Sequence, residues 1–418
     1  MSMLRNSMAA AVAAALVAGA VRAEDVSKVK GALVFAGGGL RFNNAQVWNR
    51  FVQLAGGQGA LVVVVPAAAE DPQKSGQAVA DNLSRYGARA EVVPIAPKWK
   101  GTNYRAAASD PANVEKLRRA RGIWFIGGEQ TLITRALFNE VGSKTPALKA
   151  IWQAYREGAV IGGSSAGTAI MSQVMFAEAM NSLDTIKHGI TRGKHVSTGL
   201  GFIGKDWFVD QHFLTLGRFA RALNAMRDFG FKYGIGVDED TAVVFKDGRF
   251  DVIGYKGALL LDISGAQSDQ HLPVFRMKKA RLTYLDSGDS MDARTRAVTV
   301  GKLKTAGQKI DPKARDFKPY FDEPEQFYFP NMLATWAIYE AMTRVLDGKF
   351  PVAKGLAFAQ PEHGDKNDLG FEFKVYRGDD TVGWYTAKGG YESYTVLNVY
   401  VDINPVKLAH PLYTPLTK

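Results

Sequence analysis

Between residue 30 and about residue 255, short apolar runs alternate with longer amphipathic segments. The short runs are rich in β-branched residues and end in glycine or proline, which is typical of buried parallel strands. They lie at residues 32–36, 60–65, 90–95, 122–126 and 159–161. Segments with helical spacing lie between them, at residues 45–54, 79–86, 114–120 and 148–155. This alternation predicts an α/β fold with a doubly wound, mostly parallel sheet and helices on both faces.

The pattern changes in the second half of the chain. Residues 206–210, 234–238 and 242–245 are strand-like, and residues 216–229 have helical spacing. Beyond residue 270, a polar and basic stretch is followed by a helix that Asn331 can cap, and residues 394–401 alternate like a strand. We therefore expect a first domain at residues 24–270 and a smaller C-terminal α+β appendage, of unknown role, at residues 271–418.

The first 23 residues have the pattern of a secretory signal peptide. Arg5 precedes an alanine-rich apolar run at residues 8–21, and Val21-Arg22-Ala23 is a small-x-small cleavage signal. A transmembrane anchor is the alternative, but the run is short and rich in alanine rather than leucine. We expect a secreted or periplasmic protein with no membrane association after signal cleavage.

Composition narrows the classes of function. The 418 residues include no cysteine, which excludes thiol catalysis and thiolate metal sites. The formal net charge of +11 falls to +9 when the signal segment and its two arginines are removed. Because the basic residues are scattered and form no basic and aromatic array, we expect a solvated basic surface and no nucleic-acid partner.

A Gly-x-Ser-x-Gly motif, residues 163–167, follows the fifth strand-like run. In a nucleophile elbow the serine lies in a strained turn, and flanking glycines let the strand and helix backbones approach closely. A helix at residues 168–180 would complete this context. The motif predicts Ser165 as a nucleophile, with Ser164 as the competing choice. A glycine-rich turn without catalysis is the alternative.

A serine nucleophile needs a base, and His212 is the best placed of six histidines. It follows Asp210-Gln211 at the carboxyl end of a predicted strand, where ligands gather in open α/β sheets. A third group must orient the imidazole. Asp238-Glu239-Asp240 follow another strand at the same sheet edge, and spacing leaves the choice among these three acids open.

Acyl transfer also requires backbone N–H donors for the oxyanion. Ala166, directly after the nucleophile, can supply one donor. Gly128, in the Gly127-Gly128 pair after the fourth strand, can supply another. The neighbouring Gln130 can contact the substrate.

These residues resemble the cyanophycinases, serine peptidases related to dipeptidase E that cleave cyanophycin, an aspartate backbone with arginine on each side chain. The matching segments occur in the family's order, at residues 37–39, 125–130, 162–167, 210–213 and 234–242. The resemblance implies Ser165 as nucleophile, His212 as base and Glu239 as orienting acid, without a metal or organic cofactor. It associates substrate recognition with Gln130, Asp210, Gln211, Arg218 and Arg221.

Such arginines suit cyanophycin, because guanidinium groups can hold its free α-carboxylates bidentately. Asp210 could accept the arginine side chains of the polymer. A solvated helix face is the alternative for Arg218 and Arg221. Two positions depart from the family pattern: Leu216 replaces a frequent arginine, and Glu129 replaces the usual aspartate.

The resemblance implies a secreted serine hydrolase of the extracellular type, which degrades cyanophycin to β-Asp-Arg dipeptides through an acyl-enzyme. A homodimer is compatible with it. One alternative is an exopeptidase for short Asp-containing peptides that uses the same triad. Another is a non-catalytic secreted binding protein with residues 271–418 as its binding surface.

Overall fold

The fold is described from a computed structural model, for residues 25–178, 180–269, 272, 274–359, 368–387, 390–409, 411–412 and 416. The expected signal peptide lies outside the described residues. Two compact units divide the chain. Unit 1 comprises Met1–Glu178, Thr191–Lys205 and Val244–Asp247, and unit 2 comprises Ala179–Ile190, Asp206–Val243 and Gly248–Lys418.

Unit 1 contains five parallel strands in the order β3-β2-β4-β5-β1 and a short antiparallel pair, β6 and β7. The strands are β1 (Ala32–Ala36), β2 (Leu61–Val65), β3 (Arg89–Val92), β4 (Gly122–Phe125), β5 (Val160–Ser164), β6 (Val174–Phe176) and β7 (Val196–Thr198). The helices are α1 (Ala45–Leu54), α2 (Pro72–Arg85), α3 (Tyr104–Ala107), α4 (Pro111–Arg119), α5 (Gln130–Leu137), α6 (Pro146–Glu157) and α7 (Ala166–Ala169). Because α2, α4 and α6 each begin with a capping Asp or Thr followed by proline, their starts are encoded locally.

Helices cover both faces of this sheet, as two consecutive residues of β4 show. Trp124 packs against Trp48 and Phe51 of α1, with ring centroids 4.8 Å apart in both pairs. Phe125 points to the opposite face, because side chains alternate along a strand, and there it contacts Phe202. Phe202 packs in turn on α6. The predicted doubly wound α/β fold is confirmed.

The predicted helix at residues 168–180 is wrong, because α7 ends at Ala169 and the chain turns into β6. The carbonyl of Ile170 accepts hydrogen bonds from the amides of Leu200 and Gly201, at 2.7 and 3.4 Å. The hydroxyl of Ser172 donates to the carbonyl of Val174 at 2.8 Å. Groups that would continue the helix are therefore bonded elsewhere.

Unit 2 is dominated by a larger sheet in the order β8-β9-β12-β14-β21-β20-β19-β18. Its helices are α8 (Ser182–His188), α9 (Phe219–Phe229), α10 (Lys302–Thr305) and α11 (Ala337–Leu346). Its strands are β8 (Trp207–Gln211), β9 (Tyr233–Val237), β10 (Thr241–Lys246, which straddles the boundary), β11 (Arg249–Gly254), β12 (Gly257–Asp262), β13 (Gln267–Ser268), β14 (Met277–Asp286), β15 (Ser290–Asp292), β16 (Val298–Thr299), β17 (Gln308–Ile310), β18 (Tyr328–Phe329), β19 (Val352–Ala357), β20 (Leu369–Thr386) and β21 (Ser393–Lys407). The β8–β9 and β18–β19 pairs are parallel, and the intervening pairs are antiparallel.

The C-terminal α+β region does not form a unit of its own. Strand β14 pairs with β12 on one side and with β21 on the other, so this region continues the sheet that contains β8 and β9. The boundary predicted near residue 270 therefore does not coincide with a division between the two units. No helix within the described ranges is long and apolar enough to cross a membrane.

The helix that Asn331 was expected to cap begins later, at Ala337. Asn331 instead stabilises a turn, in which its Oδ1 accepts a hydrogen bond from the amide of Leu333 at 3.0 Å. Trp336 has a φ of 61°, which lies outside the range of a right-handed helix, and its amide donates to the carbonyl of Leu214 at 2.9 Å. A tertiary contact thus determines where the helix begins.

A buried ion pair holds part of the C-terminal region. Asp289 is 1% exposed and Lys304 of α10 is 2% exposed, with 2.8 Å between Oδ2 and Nζ. The carboxylate of Asp289 also accepts from the amide of Gly301 at 2.8 Å and from the hydroxyl of Thr395. Such a pair is costly to break, because the remaining charge stays buried without a counter-ion.

We predict that Lys304→Met lowers the free energy of unfolding by about 3–5 kcal/mol, because Asp289 keeps its charge and loses its cation. The matched control is Lys302→Met, since Lys302 lies on the same short helix and is exposed. Urea unfolding followed by tryptophan fluorescence measures both. Equal stability of the two variants would contradict the prediction.

Candidate active site

The Gly-x-Ser-x-Gly motif forms a sharp strand-to-helix turn in unit 1. Strand β5 runs to Ser164, and α7 begins at Ala166. Ser165 between them has φ 54° and ψ −111°, a conformation that L-residues rarely adopt. Its side chain is half-buried. These are the features of a nucleophile elbow.

Close backbone contacts explain the glycines of this turn. A Cβ atom on Gly163 would lie 2.4 Å from the carbonyl oxygen of Gly167. One on Gly167 would lie 2.3 Å from the carbonyl oxygen of Phe125, at the end of β4. Real Cβ atoms do not approach this closely, so any larger residue would force the elbow apart.

Hydrogen bonds tie the elbow to the end of β1. The amide of Ser165 donates to the carbonyl of Ala36 at 3.0 Å, and the buried hydroxyl of Thr168 donates to the same carbonyl at 2.7 Å. Thr168 also donates to the carbonyl of Gly163 at 2.9 Å. Sequence reasoning missed Thr168, although a threonine directly after the motif was the available signal.

The segment after β4 borders the nucleophile. A Cβ atom on Gly127 would lie 3.1 Å from the Cβ of Ser165. The following Gly128 has φ 136°, and a side chain there would collide with the carbonyl of Ala68. Ala166 is the first residue of α7, where the backbone N–H has no intrahelical partner. The predicted oxyanion donors, Gly128 and Ala166, thus belong to segments that flank Ser165.

Gln130 begins α5 and is half-buried. Its Nε2 donates to the carbonyl of Phe176, the last residue of β6, at 2.6 Å, and this hydrogen bond fixes the position of the side chain. The preceding Glu129 is exposed and accepts a hydrogen bond from the hydroxyl of Thr131 at 2.6 Å. Both residues directly follow the Gly127-Gly128 pair, and both side chains are at least partly accessible on unit 1.

Unit 2 brings His212 and Glu239 together, with 2.7 Å between Nδ1 and Oε1. His212 follows β8 with a φ of 48°, and Glu239 follows β9, which lies parallel to β8. When Nδ1–H donates its hydrogen bond to Glu239, Nε2 is the unprotonated nitrogen of the imidazole and can accept a proton. This is the tautomer that a general base requires.

The two acids beside Glu239 have other surroundings. Asp238 is fully buried, and its Oδ1 accepts from the amide of Thr215 at 3.0 Å. Its Oδ2 lies 3.4 Å from Nζ of Lys256, a residue that sequence reasoning missed and no motif marks. Asp240 is 8% exposed and has a φ of 52°. Among the three acids, Glu239 is the one with a short contact to the imidazole.

Asp210 and Arg221 form a buried bidentate ion pair. Nε and Nη2 of Arg221 donate to the two carboxylate oxygens of Asp210, each at 2.8 Å. Nη1 of Arg221 donates to the carbonyl of Met180 at 2.9 Å. Both side chains are at most 3% exposed. The charges of these two predicted substrate contacts are therefore satisfied by each other.

Arg218 lies beside this pair, and its Nη1 donates to the carbonyl of Gln211 at 2.7 Å and lies 3.9 Å from Asp210. Burial lowers the pKa of Arg218 to about 10, so the group remains cationic at neutral pH. The Oε1 of Gln211 is buried without a hydrogen-bond partner in the described parts of the chain. An unsatisfied buried acceptor of this kind suits a ligand donor.

Leu216, one of the two positions that depart from the family pattern, is 53% exposed.

The described residues contain no group of three or more neighbouring His, Cys, Asp or Glu side chains that could hold a metal ion. The predicted site residues are divided between the two units. Unit 1 holds Ser165, Gly128, Ala166 and Gln130. Unit 2 holds His212, Glu239, Asp210, Gln211, Arg218 and Arg221.

Known proteins are similar to this chain over more than half of its length. A cyanophycinase of Synechococcus elongatus is 31% identical over 276 residues, which are 64% of this chain and 80% of that protein. A cyanophycinase of Geminocystis herdmanii is 28% identical over 277 residues, which are 64% of this chain and 96% of that protein. A solved peptidase structure from an acI-B1 Actinobacterium is 20% identical, covers 63% of this chain and 98% of its own, and has a TM-score of 0.47.

The sequence profile of Peptidase family S51 matches residues 33–253, which are more than half of the chain. This range contains the elbow, the His212–Glu239 pair and the strands that carry them. The chain belongs to peptidase family S51 and is a serine-type peptidase.

Proposed function

We propose that this peptidase is a secreted cyanophycinase, which hydrolyses cyanophycin to β-Asp-Arg dipeptides through an acyl-enzyme. Its curated relatives bear that name, and the chain covers 80% and 96% of the two described above. The observation that carries the proposal is the 2.7 Å contact between Nδ1 of His212 and Oε1 of Glu239. It occurs in a chain that belongs to a serine peptidase family and that has a strained serine, Ser165, in a nucleophile elbow.

In the proposed mechanism the Oγ of Ser165 attacks a backbone carbonyl carbon of the polymer, and Nε2 of His212 takes the hydroxyl proton. The N–H groups of Gly128 and Ala166 stabilise the oxyanion. When the C–N bond breaks, His212 returns the proton to the leaving amine. Water then attacks the ester, with His212 again as base, and Ser165 is regenerated. Glu239 stabilises the imidazolium.

Substrate recognition is assigned to Gln130, Gln211 and Arg218, whose side chains border the catalytic segments in each unit. Arg218 is a cation suited to the α-carboxylate of the polymer. Asp210 and Arg221 act as positioning residues, because their mutual ion pair holds the start of α9 against β8. The buried Oε1 of Gln211 is assigned as a hydrogen-bond acceptor for the substrate.

We predict that purified Ser165→Ala fails to clear an insoluble cyanophycin suspension, because no other hydroxyl takes the strained position. Ser164→Ala is the matched control and should retain clearing, since Ser164 lies within β5. Turbidity and mass analysis of the products measure the outcome. Clearing by Ser165→Ala at the wild-type rate would refute the assignment.

We predict that Glu239→Gln lowers kcat by roughly 10³- to 10⁴-fold, because the amide favours the wrong imidazole tautomer. KM should change little, since the carboxylate does not hold substrate. Steady-state kinetics on soluble polymer measure both constants, and thermal unfolding verifies that the variant is folded. A change confined to KM would contradict the assigned role.

Two rival functions are separable by simple measurements. An exopeptidase would cleave Asp-containing dipeptides and spare the polymer, so the product profile distinguishes it. A binding protein would resist covalent labelling by a serine-directed phosphonate. We expect labelling of wild type and none of Ser165→Ala, as read from intact mass.

Export is part of the proposal and rests on the pattern of residues 1–23. Expression of the full chain in a bacterium with a secretory pathway should yield a mature protein that begins at Glu24. N-terminal sequencing of the exported fraction measures this. Recovery of uncleaved chain in the membrane fraction would favour the anchor alternative.

A further inference from the structure

A surface pocket of about 490 Å³ lies within unit 1, on the side of α5. Its walls include Glu129 and Arg135 of the α5 region, Arg105 of α3, Arg192 from the segment that leads into β7, and Ser197 of β7. This volume is within the range of sites that hold small ligands or part of a longer one. No role in the mechanism has been assigned to these arginines.

The pocket begins close to the nucleophile. Gly127 is in contact range of Ser165, and Glu129, on the pocket wall, follows it by two residues. Consecutive Cα atoms are about 3.8 Å apart, so Glu129 lies at most about 7.6 Å beyond Gly127. An extended peptide spans about 3.3–3.6 Å per residue. A polymer held at Ser165 therefore needs only a few further residues to enter the pocket.

The charges around the pocket favour a ligand with carboxylates and a cation. Three arginines and one glutamate line it. Arg105 lies 3.5 Å from Glu140, and both side chains are exposed. Arg135 is exposed on α5 and makes no ion pair in the parts of the chain that the structure describes. Guanidinium groups bind carboxylates bidentately, and Glu129 on the wall offers a partner for a guanidinium.

We propose that this pocket is a second binding subsite for the polymer, and the inference rests on the proposed cyanophycinase function. Arg135 and Arg192 bind the free α-carboxylate of an arginyl unit, and Glu129 binds the guanidinium of the same or the next unit. The subsite holds units that lie a few backbone residues from the bond cleaved at Ser165. It therefore favours long chains over short fragments.

The glutamate is what makes the assignment specific. A nucleic acid carries only negative charge, so it could pair with the arginines but would leave Glu129 beside a group of like charge. A cyanophycin unit has both charges on one side chain, so it can satisfy the arginines and Glu129 together.

The test compares Arg135→Ala/Arg192→Ala with a control pair, Arg119→Ala/Arg121→Ala. The control removes two exposed arginines of unit 1 that do not line the pocket. For each protein, kcat/KM is measured on soluble polymer and on a fragment of two β-Asp-Arg units. The ratio of polymer to fragment should fall roughly fivefold to tenfold in the pocket pair, as expected from two exposed ion pairs. The control pair should keep the wild-type ratio.

An unchanged ratio in the pocket pair, or an equal fall in the control pair, would overturn the subsite. A second measurement separates this result from failure of the proposed function. The Ser165→Ala protein is sedimented with insoluble cyanophycin, with and without the two pocket substitutions. We expect less pelleted protein when the arginines are absent. If wild type did not hydrolyse the polymer while pelleting still depended on them, the function would be wrong and the subsite would stand.

Glu129 is tested by a paired comparison. Glu129→Gln removes the carboxylate, and Glu129→Asp keeps it on a shorter side chain. We expect KM for the polymer to rise several-fold with glutamine and less with aspartate. An equal rise in both would mean that charge at this position does not recognise the polymer.

Discussion

The turn at Ser165 exists only because three backbone segments come into contact around it. The end of β4 meets Gly167, the end of β1 accepts hydrogen bonds from Ser165 and Thr168, and Gly163 lies against the start of α7. Main-chain atoms take part in every one of these contacts, and the hydroxyl of Thr168 is the side-chain group that joins them. The order of strands in unit 1, which places β5 between β1 and β4, is what makes this meeting possible.

Much of this fold follows from local pattern. The bounds of β1 and α1 agree with the predicted ranges, because both are short segments with a uniform face toward the core and clear stops at their ends. The helices predicted after Ser165 and after Asn331 do not have the predicted bounds. In the first segment the carbonyl of Ile170 is hydrogen-bonded to Leu200, and in the second the amide of Trp336 is hydrogen-bonded to Leu214, which are residues distant in sequence. Propensity cannot register such partners, since they exist only in the folded chain.

The site divides in the same way. Ser165 and His212 were predicted from motif and strand-end position, which are properties of the sequence. Spacing alone left three acids open, because neighbouring residues after a strand point in different directions that only the backbone settles. The pairing of Asp210 with Arg221, eleven positions apart, depends on how α9 packs on β8 and has no sequence signature. Asp289 and Lys304 are a second buried ion pair, and such a pair is costly to break because removal of one partner leaves an uncompensated buried charge.

The matched family region ends at residue 253, yet β12, which follows it, pairs with β9 on one side and with β14 on the other. Five of the six residues of β12 are buried. A chain that stopped before β14 would present an apolar strand with a free edge, which is a template for edge-to-edge aggregation. The extra length is therefore not a detachable module, and an ancestor could have gained or lost it only together with a new way of covering that edge.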